Sequence, residues 1–166
     1  MQSGPTIEFR KQVLMTQNIQ DIQLITPPAQ PIVSIRKEMS VDDFGQMFGK
    51  LYETISSRHL RATTIRGTRY YDESFNTSRS GMETFVVLKE DSGALGTIGG
   101  TLCASAIHTG PYSNLNETYA VLLKWIEENH CRMDGAPYEL YLETGYENPD
   151  PATWKTQIFF PVPKNK

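Results

Sequence analysis

The amino-acid sequence predicts an α+β domain in which two β-α-β-β units form one antiparallel sheet with both helices on one face. Two observations carry this prediction: an internal repeat at an offset of about 71 residues, and one amphipathic helical pattern in each unit. The 166 residues are 39% hydrophobic and 21% charged, a composition typical of a single globular domain. We expect a lead-in over residues 1–17 and one domain over 18–166, with units at about 21–90 and 97–163.

The repeat is visible as paired positions. At the 71-residue offset, the predicted elements of the two units align without a gap, and apolar residues of one unit fall on apolar residues of the other across a helix and the strands around it. The pairs include Phe44 with Leu115, Phe48 with Tyr119, His59 with His130, and Tyr70 with Tyr141. Neither unit can bury its apolar helix face alone, so we expect the two to pair, which leaves a natural ligand pocket at the pseudo-twofold seam between them.

Each unit shows recognisable element boundaries. The first unit has strand patterns at 21–25 and 32–37, which we expect to form the same edge of the sheet. A helix follows, capped by Ser40 with Asp43 as its capping-box partner. Strands at 63–71 and 83–89 flank a polar loop at 73–81. The second has a strand at 99–107, a helix that Asn114 is expected to cap with Glu117, and strands at 137–143 and 155–162. The glycine-rich run at 93–100 is read as a linker between the units.

Charge and composition exclude several classes of function. A net charge of −3 and a pI near 5.6 disfavour a nucleic-acid surface, which needs clustered Lys and Arg. No run of 18 apolar residues predicts a membrane span, and no secretory signal is evident, so we expect a cytoplasmic protein. Cys103 and Cys131 form no metal-binding pattern, and the three histidines have no ligand spacing. We therefore expect no metal and no cofactor.

The strand Pro137–Glu143 carries the chemistry. Its alternation places Tyr138, Leu140 and Leu142 on one face, and Glu139, Tyr141 and Glu143 on the other. We expect the apolar set under the helices and Glu139 with Tyr141 on the opposite, functional face. A carboxylate beside aromatic rings suits an organic cation. The same pattern is also typical of a solvated outer face with an exposed glutamate.

Trp154 begins the last strand pattern. A hairpin between this strand and the preceding one would bring Trp154 near the Glu139 end of the sheet, although a tryptophan at this position can also cap the core.

Three segments resemble the GyrI-like family, the effector-binding domains also found in some AraC-type and MerR-type regulators. They are His108–Leu115 with its Gly-Pro-Tyr turn, Pro137–Tyr141, and Lys155–Val162, and the predicted helix at Tyr119–Trp125 lies between the first two in the same order as in the family. The resemblance covers roughly residue 21 to the C-terminus and implies a pocket in which a buried glutamate, here Glu139, is ringed by aromatic residues. It implies pocket roles for Tyr141 and Trp154, and it places Gln157 where the family usually has a second glutamate.

The candidate ligand-binding residues are Glu139, Tyr141, Trp154, Gln157, Tyr70 and Tyr112. Tyr70 is the repeat counterpart of Tyr141, and Tyr112 belongs to the Gly-Pro-Tyr turn. Because Gln157 is uncharged, a singly charged cation is favoured over a dication. No residue is assigned a catalytic role.

Three functions remain open from the sequence. The first is binding of a hydrophobic, cationic small molecule, with no direct nucleic-acid or membrane contact. The second is hydrolysis of an electrophilic, cyclopropane-bearing toxin, which some standalone members of the family carry out, with Glu139 acting on water. The third is inhibition of a protein partner through the surface.

Overall fold

A computed structural model describes residues 22–71, 80–145 and 147–165 of the chain. The strands are β1 Gln23–Ile25, β2 Gln30–Met39, β3 Ala62–Tyr70, β4 Ser80–Leu88, β5 Gly96–Ile98, β6 Cys103–Thr109, β7 Cys131–Arg132, β8 Tyr138–Glu143, β9 Lys155–Pro161 and β10 Lys164–Asn165. The helices are α1 Phe44–Ser57 and α2 Leu115–Glu128. The predicted lead-in over 1–17 lies outside the described residues, as does most of the predicted loop at 73–81.

Eight of these strands form one antiparallel sheet in the order β1-β6-β9-β8-β3-β4-β2-β5. Strands β7 and β10 form a separate two-stranded ribbon. The α+β class and the single sheet with two helices are confirmed.

The duplication is visible in the geometry. Helices α1 and α2 each have 14 residues and begin 71 positions apart, at Phe44 and Leu115. Each is followed by a histidine, His59 or His130, with a φ of 55°. Strands β3 and β8 are neighbours at the centre of the sheet, and Thr68 pairs directly with Glu139. Because these two positions are also 71 apart, the pseudo-twofold axis passes between them.

The closing strands do not follow the same offset. Thr68 pairs with Thr84 of β4, whereas its counterpart Glu139 pairs with Ile158 of β9, which is 74 positions beyond Thr84. The expectation of superposition without a gap is therefore wrong for this strand. The chain from Glu139 to Ile158 is three residues longer than the chain from Thr68 to Thr84, and it includes a register shift between Tyr141 and Glu143. Insertions are tolerated best in such connections.

The first strand pattern was assigned to the wrong place in the sheet. Strand β1 pairs with β6 of the second unit, and the free side of β2 is taken by β5, which forms within the predicted linker. The segment between β1 and β2 contains Pro27 and Pro28, which lack the N–H that a ladder needs. It packs instead on the β5–β6 connection, where the Gly100 amide donates to the Pro27 carbonyl at 2.7 Å.

The two helix starts differ in their caps. Ser40 and Asp43 form the predicted capping box, which leads through a short 3₁₀ turn into α1. The predicted cap by Asn114 is wrong, since its side chain makes no capping hydrogen bond. Asn114 has φ −101° and ψ 3° inside a 3₁₀ turn, so its side chain is not presented as it would be from an extended cap residue.

Both helices lie on one face of the sheet, called here the helix face. Leu51 of α1 packs on Val86, and Leu122 of α2 packs on Ile158. The other face, called here the far face, holds a second apolar cluster of its own. This cluster joins Ile25 of β1 to Ile98 of β5, from opposite ends of the strand order, so the sheet curls around its far face. Within the described residues, no helix is long and apolar enough to cross a membrane.

Candidate functional site

Glu139 lies on the helix face, which corrects the orientation expected from the sequence. It pairs with Ile158, whose side chain packs beneath α2, so the two share a face. Tyr138 and Leu140 belong to the far-face cluster instead. The alternation itself was predicted correctly, but alternation does not say which face lies under the helices. The curl of the sheet gives the far face an apolar core, and that core takes the apolar set.

The Glu139 carboxylate is buried and hydrogen-bonded by three phenols. The residue is only 4% exposed, which excludes a solvated outer face. The Tyr70 hydroxyl donates to Oε1 at 2.8 Å, and the Tyr141 hydroxyl approaches the same oxygen at 3.1 Å. The Tyr119 hydroxyl, reaching down from α2, donates to Oε2. We call Glu139 with Tyr70, Tyr119 and Tyr141 the Glu139 site.

The site is symmetric in position and asymmetric in chemistry. Tyr70 and Tyr141 are repeat counterparts, and both hydroxyls meet at one oxygen of Glu139. The counterpart of Glu139 is Thr68, which is fully buried and whose hydroxyl lies within hydrogen-bond distance of the Tyr141 hydroxyl, at 2.9 Å. The counterpart of Tyr119 is Phe48, which has no hydroxyl. The second unit therefore supplies the only acidic group of the site.

No positive charge balances this carboxylate among the described residues. The ion pairs found there involve other carboxylates, and no lysine, arginine or histidine contacts Glu139. Burial raises the pKa of Glu139 and outweighs the three phenols, which act to lower it. Burial and the adjacent Glu139 in turn raise the pKa values of Tyr70, Tyr119 and Tyr141, so the phenols remain neutral donors. No group of three potential metal ligands occurs in the described part of the chain.

A row of aromatic rings leads from the surface to the Glu139 site. Trp154 and Tyr112 lie 5.1 Å apart between ring centroids, and Tyr112 is 6.1 Å from Tyr141. Phe48 meets Tyr141 edge-on at 6.3 Å. Tyr112 is 42% exposed, whereas Glu139 is buried. The Tyr141 ring therefore contacts both the exposed end of the row and the carboxylate.

The Gly-Pro-Tyr turn is held against Trp154 by backbone bonds. The Gly110 amide donates to the Trp154 carbonyl at 2.8 Å, and the Trp154 indole donates to the Asn148 carbonyl at 2.8 Å. Behind the turn, the buried His108 contacts Thr118 of α2 and the Pro111 carbonyl. These bonds fix Tyr112 and Trp154 as neighbours.

One cation lies beside this row. Arg66 of β3 donates to the Thr144 hydroxyl at 2.9 Å and lies 3.9 Å from the Glu147 carboxylate. It influences Tyr112, whose pKa is raised mainly by burial, with Arg66 acting to lower it and Glu139 to raise it. The charge of Arg66 therefore lies near Tyr112 at the exposed end of the aromatic row, called here the entrance to the Glu139 site, and is partly balanced by Glu147.

The structure brings five of the six predicted residues together: Glu139, Tyr141, Tyr70, Tyr112 and Trp154. Gln157 is not among them. It pairs with Leu140 and so lies on the far face, where its amide donates to the Ser105 hydroxyl at 3.0 Å. Side chains alternate along β9, and its neighbours Thr156 and Ile158 take the helix-face positions. The expectation that Gln157 modifies the charge beside Glu139 is therefore wrong for this structure.

Sequence reasoning missed Tyr119 and Arg66 as site residues. Tyr119 was assigned only to the buried stripe of α2. A tyrosine in such a stripe carries its own signal, because a buried phenol needs a hydrogen-bond acceptor. Arg66 has no comparable signal, since its position near Tyr112 depends on how β3 and the 144–147 loop meet.

Fold and site together define a small-molecule-binding domain. The model of the GyrI-like small molecule binding domain matches residues 20–163. The chain therefore belongs to the GyrI-like family. No curated protein sequence matches it.

Solved structures share this fold. The chain is similar to EcmrR in an EcmrR–DNA complex, with a TM-score of 0.81 and 23% identity over 96% of this chain. It spans 64% of that EcmrR chain, and 98% of the separate EcmrR C-terminal domain at a TM-score of 0.78. SAV2435 bound to tetraphenylphosphonium is similar over 86% of this chain and 94% of its own, with 12% identity and a TM-score of 0.54. A hydrolase from Listeria innocua is similar over 93% and 98%, with 15% identity and a TM-score of 0.59.

Proposed function

We propose that this domain binds a singly charged, lipophilic organic cation above Glu139. The observation that carries the proposal is a buried carboxylate that three neutral phenols hold and that no cation balances in the part of the chain that the structure describes. Burying an ionised group without an opposite charge costs several kcal/mol. A bound cation supplies the missing positive charge, so binding offsets part of the free-energy cost of burying the Glu139 carboxylate.

The aromatic row supports the same ligand class. Tyr112, Tyr141 and Trp154 present ring faces and edges between solvent and the carboxylate. A cation near such rings gains about 0.5–2 kcal/mol from each, and its apolar groups gain from leaving water. Arg66 at the entrance opposes a second positive charge, which favours a monocation. SAV2435, which shares the fold, has been solved with such a cation, tetraphenylphosphonium.

Calorimetric titration with tetraphenylphosphonium tests this proposal. We expect saturable binding with a micromolar Kd. Triphenylphosphine oxide, which has similar aromatic groups and no net charge, should bind at least tenfold more weakly. Equal affinity for the two compounds would show that Glu139 does not select for charge.

Hydrolysis is the second candidate, because similar folds include hydrolases and Glu139 has a raised pKa. The hydrogen bonds weigh against it. Phenols already occupy an acceptor position on each carboxylate oxygen, so fewer positions remain at which Glu139 could activate a water. Incubation with a cyclopropane-bearing electrophile, followed by mass spectrometry, tests this alternative. Product formation that is lost in Glu139→Ala would favour the enzyme.

We also propose that the domain acts in the cytoplasm. Stable capture of a protein partner, with no cation binding, would instead favour the inhibitor hypothesis.

A further inference from the structure

The two units surround Glu139 with sides of different composition, and strand pairing shows which positions correspond. Lys37 of β2 pairs with Met82 of β4. Their counterparts at offsets of 71 and 74 residues, His108 of β6 and Thr156 of β9, pair in the same way. The side of the Glu139 site that the first unit supplies can therefore be compared, position by position, with the side that the second unit supplies.

The first-unit side is built from methionines. Met39, Met47 and Met82, called here the methionine cluster, are buried and pack together with Tyr70. Tyr70 is the phenol that donates to Oε1 of Glu139, so the cluster lies directly behind one wall of the site. A methionine side chain has three rotatable bonds and only a weak acceptor atom, so these side chains can change rotamer without breaking a strong hydrogen bond.

The equivalent positions of the second unit are small residues in a hydrogen-bonded region. They are Gly110, Thr118 and Thr156. The Gly110 amide donates to the Trp154 carbonyl at 2.8 Å, and the Thr118 hydroxyl lies 2.6 Å from Nδ1 of His108. A rearrangement on this side breaks such bonds, so the second-unit side is the more rigid of the two.

A ligand that reaches the Glu139 carboxylate must displace protein atoms, because Glu139 is only 4% exposed. Protein interiors are close-packed, so the space for a ligand comes from side chains that change rotamer. Of the two sides, the methionine cluster rearranges at the lower cost, since the other side loses hydrogen bonds. The larger the apolar groups of the ligand, the further this side has to give way.

We propose that the methionine cluster determines how large a cation the domain accepts, by rearranging to admit the apolar groups of the ligand beside Tyr70. This inference rests on the cation-binding function proposed above and gives it a direction: the charge of the ligand lies at Glu139, and its bulk extends into the first unit. Flexible, methionine-rich walls serve proteins that accept ligands of different shape. A cation with one ring displaces few side chains, whereas tetraphenylphosphonium, with four rings, displaces more.

Methyl signals of isotopically labelled methionine test where the bulk of the ligand lies. The chain has six methionines, so each methyl signal can be assigned by single substitution. Tetraphenylphosphonium added to the wild-type protein should shift the methyl signals of the methionine cluster saturably and leave that of the exposed Met133 unchanged. A saturable shift of the Trp154 indole signal with unmoved cluster methyls would overturn the proposal, because the bulk of the ligand would then lie on the second-unit side alone.

A double variant, Met47→Leu with Met82→Ile, keeps the side-chain volume and reduces the number of rotatable bonds. The Kd for tetraphenylphosphonium should rise at least fivefold, while the Kd for trimethylphenylammonium, which has one ring, should stay within twofold. Retained binding of the smaller cation also shows that the variant is folded. Met133→Leu is the matched control and should leave both Kd values unchanged. Equal changes for the two cations, or no change for either, would contradict the proposal.

The same titrations separate this inference from the proposed function. A wild-type protein that binds neither cation would refute both. Loss of binding in Glu139→Gln, together with unaltered binding in the double variant, would leave the cation-binding function in place and overturn only the role of the methionine cluster.

Discussion

Replacing Glu139 with glutamine removes the charge of the Glu139 site and keeps its shape. A monocation about 5 Å from the carboxylate, at an effective dielectric constant of about 20, is attracted by roughly 3 kcal/mol. The cation loses part of its hydration on entering, which offsets some of this attraction. We expect a net loss of about 1.5–3 kcal/mol in Glu139→Gln, which corresponds to roughly a 10- to 100-fold higher Kd.

The fold should tolerate this change. The glutamine carbonyl can still accept from Tyr70 and Tyr141, and the Tyr119 hydroxyl can turn to accept from the new amide. Because an unbalanced buried charge is removed, the melting temperature should stay the same or rise. Affinity and stability should therefore change in opposite directions, which separates a binding role from a structural one.

Calorimetry with tetraphenylphosphonium gives the affinity, and thermal unfolding gives the stability. Glu127→Gln is the matched control, because it removes the same charge from an exposed position on α2 and should leave the Kd within about twofold. An unchanged Kd in Glu139→Gln would refute the reasoning. An equal loss of affinity for neutral triphenylphosphine oxide would do so too.

Four other results are expected. Because the pKa of Glu139 is raised in the fold, its favourable contribution to stability is present below its ordinary pKa near 4.5 and is lost as pH rises through the raised value. Within that pH range, cation binding should release protons, which calorimetry in buffers of different ionisation enthalpy will measure. Glu139→Gln should abolish this proton release. Tyr119→Phe removes one donor to the carboxylate and should cost about 1.5–3 kcal/mol in urea unfolding at neutral pH, and less at acidic pH. Gly67→Ala places a Cβ 2.0 Å from the Glu139 carbonyl oxygen and should lower the free energy of unfolding by more than about 3 kcal/mol. Gly45→Ala, at an exposed position of α1 with open space around it, should raise the free energy of unfolding by about 0.5–1 kcal/mol in the same assay. Arg66→Gln should tighten cation binding about two- to threefold, since Glu147 and solvent already weaken its charge, and no change in Kd would place Arg66 outside the entrance.

The repeat was the strongest sequence signal for the fold. Paired apolar positions such as Phe48 and Tyr119 predicted two equivalent helices, because a helix must bury one stripe wherever its unit lies. The same reasoning failed for β1. A three-residue strand has too little pattern to choose a partner, and its place beside β6 depends on how the proline-containing segment packs on the β5–β6 connection.

The sequence predicted those site residues whose positions follow from local alternation, and it failed for residues whose positions depend on long-range packing. Glu139 and Tyr141 were identified together because alternation places them on one side of a strand. Gln157 was grouped with them through the family resemblance, and the register of β9 against β8 places it on the far face. Tyr119 reaches the site from a helix, at a position that depends on how α2 lies across the sheet.

The sequence by itself determined the duplication, the two helices and the longer strands, and which side chains share a face of each of those strands. These properties follow from local periodicity and from the repeat, and both can be read along the chain. Only the tertiary structure decided that the Glu139 face lies beneath the helices. The curl of the sheet creates a second apolar core on the far face, and that long-range packing places the carboxylate between Tyr70, Tyr119 and Tyr141.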